Sequence, residues 1–300
     1  MKVFFCILKE AKKVNQMKKL KMIIPKGRIF DNTVDLLNQA GIKINGNSRH
    51  YIPHVSLPEI EAKIMKPQNI AQVIEIGSHD IGFTGHDWIV ETSAEVEQIL
   101  DLNLDPVKIV SAVPKEFQEL SKKNTKIIVA SEYKNISTQY LRSNNYDFLL
   151  IQTSGATEAF PPQDADMIID NISTGRTLKE HGLKIKDEIM ASSTRFIANK
   201  KALQDRWKRE KIEELKMLFK AVLNAKERVM LEMNVPPERL ESLVKIIPCM
   251  RSPTVSPLYA GQGYAVKVAV RKNDTLKLIP LLKKMGATDI LEYELKKVIT

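Results

Sequence analysis

Apolar residues in this chain come in short blocks broken by glycine turns, and each block carries one period. An almost continuous apolar run over 20–24 predicts a buried strand. It breaks at Pro25-Lys26-Gly27-Arg28, after which Phe30, Val34 and Leu37 recur at helical spacing until Gly41 supplies a stop. A strand around Lys43 and a loop containing Arg49 follow. Residues 60–65 alternate like a strand and 69–74 read as a short helix. An extended run over 79–85 closes on Thr84-Gly85, where Asp87 can cap a helix carrying Trp88, Ile89 and Val90. The same alternation predicts strands at 107–111, 126–130, 148–152 and 166–169, with helices near Phe117 and over 138–144. A strand-like stretch over 188–199 ends the series. This order argues for parallel sheets with helices on both faces.

A long helical region at 201–223 sets Trp207, Leu215, Leu218, Phe219 and Val222 among many charges, which suits a linker helix packed along one face. Beyond it the pattern changes. Strand signals at 228–233, 254–259, 264–270 and 289–297 alternate with helices at 237–247 and 275–284. That is the βαββαβ order of a ferredoxin-like module.

Composition narrows the class. The 300 residues are 43% hydrophobic and 27% charged, as in ordinary globular proteins. The net charge of +10 points toward nucleic acid, yet eight lysines and one glutamate among the first 26 residues supply most of it. Without interleaved aromatics or a recognition motif, that end reads as a solvated tail and no nucleic-acid partner is expected. No apolar run is long enough for a membrane span, and Val3 to Leu8 is too short for a signal-peptide core, so the chain reads as cytoplasmic. Cys6 and Cys249 form neither a disulfide framework nor a metal motif, and the five histidines lack zinc-ligand spacing. Any metal is expected to arrive with a substrate.

The candidate chemistry centres on residues 166–178, Asp-Met-Ile-Ile-Asp-Asn-Ile-Ser-Thr-Gly-Arg-Thr-Leu. In a strand, Asp166, Ile168 and Asp170 share one face, so both carboxylates are expected to point toward the carboxyl end of the sheet. Ser173, Thr174 and Thr177 offer hydroxyls, Gly175 permits close approach of an anion, and the N–H groups of a helix start favour a phosphate. That is a seat for a phosphorylated sugar. The same residues also fit a plain turn before a capping box, Thr177-Leu178-Lys179-Glu180. Lys26 and Arg28 beside Gly27 suit a polyphosphate, and suit a solvated basic turn equally. Thr84-Gly85-His86-Asp87 and Ser154-Gly155-Ala156-Thr157-Glu158 are weaker signals of the same kind. All four glycine turns fall at inferred strand ends, where one cleft can collect them. The chain shows no nucleophile triad, Walker loop or GxGxxG fingerprint.

Four separated segments in order resemble the ATP phosphoribosyltransferase family in its long form. They are Pro-Lys-Gly-Arg at 25–28, Asp-Ile-Gly-Phe-Thr-Gly-His-Asp at 80–87, the segment 166–178, and Arg-Ser-Pro-Thr-Val-Ser-Pro-Leu at 251–258. The resemblance runs from about residue 20 to the end. It implies two α/β lobes like those of periplasmic binding proteins, with a C-terminal regulatory domain. The domains expected are a basic extension (1–19), a first catalytic lobe (20–106, completed by about 196–222), a second lobe with the phosphoribosyl loop (107–195), and the regulatory domain (225–300). Met17 is a possible alternative start.

The implied reaction joins N1 of the ATP adenine to C1 of phosphoribosyl pyrophosphate, with magnesium on the pyrophosphate. By the resemblance, Asp170, Ser173, Thr174, Gly175, Arg176 and Thr177 hold the phosphoribosyl group, with Asp166 and Asp170 catalytic beside the sugar. Lys26, Gly27, Arg28 and Arg49 meet phosphates, Gly85 and Asp87 line the opposite wall, and Glu158 faces ATP. The C-terminal module implies feedback inhibition by histidine, with Asn234, Ser252 and Thr254 as effector contacts, and a hexamer exchanging with dimers. Two departures touch supporting contacts: Lys66-Pro67-Gln68-Asn69-Ile70 stands where the family often has Arg-Pro-x-Asp-Ile, and Pro161-Pro162-Gln163 stands where a glycine is usual. A non-catalytic binding protein of the same fold is the alternative.

Overall fold

The computed structural model describes residues 18–46, 51–116 and 126–300. The chain divides into two compact units, one holding residues up to Asn38 with Ile42–Ile212, the other Gln39–Gly41 with Glu213–Thr300.

The first unit opens with β1 (Leu20–Pro25), α1 (Phe30–Ala40), the short pair β2 (Ile44–Asn45) and β3 (His54–Val55), β4 (Ile60–Met65) and α2 (Pro67–Glu75). It continues through β5 (Ile81–Gly85), α3 (His86–Thr92), β6 (Glu97–Asp101), β7 (Val107–Pro114), β8 (Ile127–Ser131), α4 (Lys134–Ser143) and β9 (Phe148–Gln152). Then come β10 (Met167–Ile172), α5 (Arg176–Glu180), β11 (Leu183–Ser192) and β12 (Thr194–Ala198). These strands form two five-stranded sheets, ordered β4-β1-β5-β12-β6 and β11-β7-β10-β8-β9. Each is the core of one lobe.

The expectation of parallel sheets holds for three neighbouring strands of each sheet, reaching from one edge to the middle strand. β1 runs parallel to β4 and β5, and β8 to β9 and β10, but β12 lies antiparallel to β5 and β7 antiparallel to β10. The reason is the path of the chain, which leaves the first lobe after β6 and returns at β12. The expected strand over 188–199 therefore breaks at Ser193, and its halves join different sheets. Leu102 N–H donates to Thr194 O (3.1 Å) and Thr194 N–H to Leu104 O (2.9 Å), which lashes the two crossings together. β6 was not expected, because its side chains are half-exposed or exposed and carry no apolar alternation. The expected helix near Phe117 and the extension before residue 18 lie outside the described residues.

Burial explains the layering. On one face of the first sheet Ile23 and Ile197 pack under Ile70, Ala71 and Ile74 of α2 and Ile89 of α3. In the second lobe Ile109, Val129, Met167 and Ile169 pack under Ile136 and Leu141 of α4. Truncating one of these isoleucines to alanine costs about 2–5 kcal/mol.

The helix α6 (Arg206–Lys226) leads into β13 (Arg228–Val235), α7 (Leu240–Ile246), β14 (Thr254–Pro257), β15 (Tyr264–Arg271), α8 (Thr275–Lys284) and β16 (Thr288–Glu294). Their sheet order is β14-β15-β13-β16 with every neighbouring pair antiparallel, the ferredoxin-like arrangement the sequence predicts. Val229, Leu231, Met233 and Val235 alternate inward from β13 onto Leu243 and Leu282 of the helices. Asn234 pairs with Ala265 and Thr254 with Lys267, so both lie on the sheet face away from the helices. Asn234 Nδ2 donates to Asp289 Oδ2 (2.9 Å), while Ser252 is exposed in the loop before β14. No described helix is long and apolar enough to cross a membrane.

Candidate active site

The parallel strands β1, β4 and β5 end at one edge of the first lobe, where open α/β sheets take their ligands. After β1 the chain turns at Gly27, whose φ of +82° is left-handed and suits glycine. Lys26 N–H donates to Met65 O (2.7 Å) and Phe30 N–H to Gly27 O (3.0 Å), fixing that turn beside the end of β4. The Lys26 ammonium stands 5.7 Å from the Tyr51 ring. Lys26, Gly27, Arg28, Lys66, Pro67, Gln68 and Gly85 form one wall of a cavity of about 370 Å³. Glu132 and Tyr133, just after β8, and Asn171 near the end of β10 form the facing wall, with Asp87 and Trp88 of α3 between. Cations thus face carboxylate, amide and phenol across one cleft.

Asp87 holds the back of this cleft. It is 4% exposed, accepts from the Tyr133 hydroxyl (2.8 Å) and from Ser192 Oγ (2.5 Å), and donates its own N–H to Ser192 Oγ (3.0 Å). Burial, and then the neighbouring Asp87 charge, push the Tyr133 phenol well above its ordinary pKa, so it stays a donor. Asn171 Nδ2 donates back to the Tyr133 oxygen (3.1 Å). Trp88 stacks on Tyr133 with ring centroids 4.6 Å apart. Gly85 is favoured by close approach rather than by φ, since a Cβ there would run into the Asp87 carboxylate. The cap of α3 is Gly85, so the expected capping role of Asp87 is replaced by this network.

Behind the facing wall lies Asp170. Burial pushes its carboxyl up to about 6, and the charges of Glu132 and Glu158 add to the rise, while the Asn171 N–H (2.7 Å) and the Thr157 hydroxyl oppose it. Among the described residues, no cation is among the charges that act on Asp170. A buried carboxylate beside two others is held at a free-energy cost, and such groups cluster where ligands bring the missing positive charge.

The structure does not bring Asp166 to this place. Its carboxylate accepts from Ile128 N–H (2.9 Å) and its own N–H donates to Ile128 O (2.8 Å), at the far end of the strand from Asn171. Side-chain alternation put both acids on one face, but four residues of extended chain separate them by roughly 13 Å. Thr177 is not a cap either. Gly175, at φ +71°, is the N-cap of α5, and Glu180 pairs instead with Arg176 (2.7 Å). Thr174, Arg176 and Thr177 are exposed and Gly175 is half-buried on this loop. Ser173 lines a second cavity of about 420 Å³ with Lys108, Ser192, Ser193 and Arg195. Glu158 is half-buried in a short 3-10 turn near Asp170. Arg49 lies outside the described residues. Glu132, Tyr133 and Trp88 were missed as site residues. An aromatic at a strand end reads as core, and the one available signal was the acid beside it at the end of β8.

Fold and cleft together define a two-lobed α/β protein with a cleft between a basic turn and a wall carrying a carboxylate, and with a ferredoxin-like unit after it. The chain belongs to the ATP phosphoribosyltransferase family. The model of that family matches residues 66–221, and the model of its C-terminal domain matches 225–297. ATP phosphoribosyltransferase of Chlorobium phaeovibrioides is 39% identical over 295 residues, spanning 95% of this chain and 99% of that one. Its counterpart in Pelodictyon phaeoclathratiforme is 40% identical over 292 residues, with the same coverage. Among solved structures, a chain of the ATP phosphoribosyl transferase (HisG:HisZ) complex from Thermotoga maritima matches with a TM-score of 0.60 and 26% identity, over 67% of this chain and 98% of that one.

Proposed function

We propose that the protein transfers the 5-phosphoribosyl group of phosphoribosyl pyrophosphate to N1 of the adenine of ATP, releasing pyrophosphate, as the first step of histidine biosynthesis. The observation that carries this reading is the pairing of the Lys26-Gly27-Arg28 turn with Glu132, Tyr133 and Asn171 across one cleft, with Asp170 behind. Adenine N1 is already a nucleophile, so the bond from N1 to C1 forms as the bond from C1 to the pyrophosphate oxygen breaks. The chain has to align the two atoms, stabilise positive charge at the ribose and neutralise the leaving diphosphate. Lys26 and Arg28 serve the diphosphate. Asp170, with Glu132, serves the ribose. The loop of Ser173, Thr174, Gly175, Arg176 and Thr177 holds the 5-phosphate.

Magnesium would be bound as part of the substrate's diphosphate, where Glu132, which lines the cleft, would help to hold it and the charge of the ion would help to neutralise the leaving group. In the second unit Asn234 and Thr254 share the uncovered sheet face, which supports a histidine site there with Ser252 at its margin. Inhibition by histidine, a hexamer exchanging with dimers, a cytoplasmic location and activity without a separate regulatory subunit belong to the same reading. A non-catalytic binder has no use for a carboxylate buried at a cost, which favours catalysis. The experiment is to mix the protein with ATP, phosphoribosyl pyrophosphate and magnesium, remove pyrophosphate enzymatically, and follow ultraviolet absorbance of the adduct. Folded protein that yields no adduct contradicts the reading.

A further inference from the structure

We propose that Glu91 is a positioning residue: from the first lobe it grips the start of α4 in the second, and so sets the spacing of the two walls of the cleft. This rests on the reaction proposed above.

Glu91 is 8% exposed, and its carboxylate accepts from Asn135 N–H (2.9 Å) and Ile136 N–H (3.0 Å), while its carbonyl accepts from Asn135 Nδ2 (2.7 Å). The first N–H groups of a helix lack partners within it, and a carboxylate there is favoured by both hydrogen bonding and the helix dipole. Tyr133, the residue before α4, offers no side-chain cap. The cap comes from the other lobe.

Along α3, Glu91 is four residues from Asp87 and three from Trp88, so it neighbours both on the helix surface. Each engages the second lobe: Asp87 takes the Tyr133 hydroxyl, Trp88 stacks on the Tyr133 ring and packs against the core of that lobe, and Glu91 holds the two residues after Lys134. Glu132 and Tyr133 of the cleft wall immediately precede the helix start that Glu91 holds. None of the cavity-lining residues is Glu91 itself, so its influence passes through Tyr133 and Trp88.

The chain has two tryptophans, Trp88 and Trp207, so Trp207→Phe leaves Trp88 as the reporter. In that background the full-length chain is compared with its Glu91→Ala and Glu91→Gln variants, each checked for folding by circular dichroism at the assay temperature. Glu91→Ala is expected to shift Trp88 emission to the red, raise its quenching by acrylamide, and lower kcat/KM for phosphoribosyl pyrophosphate at least tenfold. Glu91→Gln keeps one acceptor and should fall between. If the alanine variant does not fold, the glutamine variant carries the test, with a loss of at least threefold expected. Folded variants with unchanged Trp88 emission overturn the assignment, whether turnover falls or not. Unchanged kcat/KM overturns it as well. The emission readout needs no turnover, so a parent protein that forms no adduct would defeat the reaction and leave the latch to be judged by fluorescence.

Discussion

Two aspartates at opposite ends of one stretch of chain have opposite fates. Asp166 completes a two-bond link to Ile128 and has its hydrogen-bonding needs met at the entry to the sheet. Asp170, four residues on, is buried near Glu132 and Glu158, with its carboxyl pushed up to about 6. The contrast lies in charge rather than in hydrogen bonding: both carboxylates have donors, but only Asp170 is buried beside two further acids. On the reading proposed above, Asp166 belongs to architecture and Asp170 to chemistry.

The largest test of that contrast is activity. Asp170→Asn should lower turnover at least tenfold with folding intact, measured by adduct absorbance, and Asp166→Asn should leave turnover within about threefold. Equal losses at both positions would erase the distinction. Next is Gly85→Ala, whose Cβ has to displace the Asp87 carboxylate from Tyr133 and Ser192. It should cost about 1–3 kcal/mol in denaturant unfolding and lower kcat/KM along with it.

Stability against pH supplies a smaller effect of definite sign. The Asp170 pKa is raised on folding, so its contribution is present below the unfolded value of about 3.8 and is lost as pH rises through about 6. Above pH 7 Asp170→Asn should therefore be more stable than the parent, by about 2 kcal/mol and at most about 3, since one pKa unit corresponds to about 1.4 kcal/mol. The gain should shrink below pH 5, as read from unfolding midpoints. Asp166→Asn should instead lose about 0.5–1.5 kcal/mol, the net worth of one hydrogen bond, at neutral pH.

How much of this was legible in the sequence follows from which forces act locally. The turn at Lys26-Gly27-Arg28 was readable because an apolar run, a glycine and a helical period meet there. The ferredoxin-like unit was readable because β13 alternates strictly, with every second residue buried. The return of β12 to the first sheet was not, because no local preference distinguishes one strand over 188–199 from two that part at Ser193. Asp166 was misplaced because alternation gives the face of a strand and leaves the end to tertiary pairing. Glu91 was invisible for a similar reason: an acid on an amphipathic helix reads as solvated until another lobe supplies the N–H groups it holds.

The central claim is that the cleft lined by Lys26, Arg28 and Glu132, with Asp170 behind it, performs phosphoribosyl transfer. It is tested most directly by following adduct absorbance for the parent chain and for Asp170→Asn side by side, with ATP, phosphoribosyl pyrophosphate and magnesium. A steady rise is expected for the parent and at least a tenfold slower one for the variant. A folded parent that gives no rise, or a variant that keeps pace with it, would contradict the account.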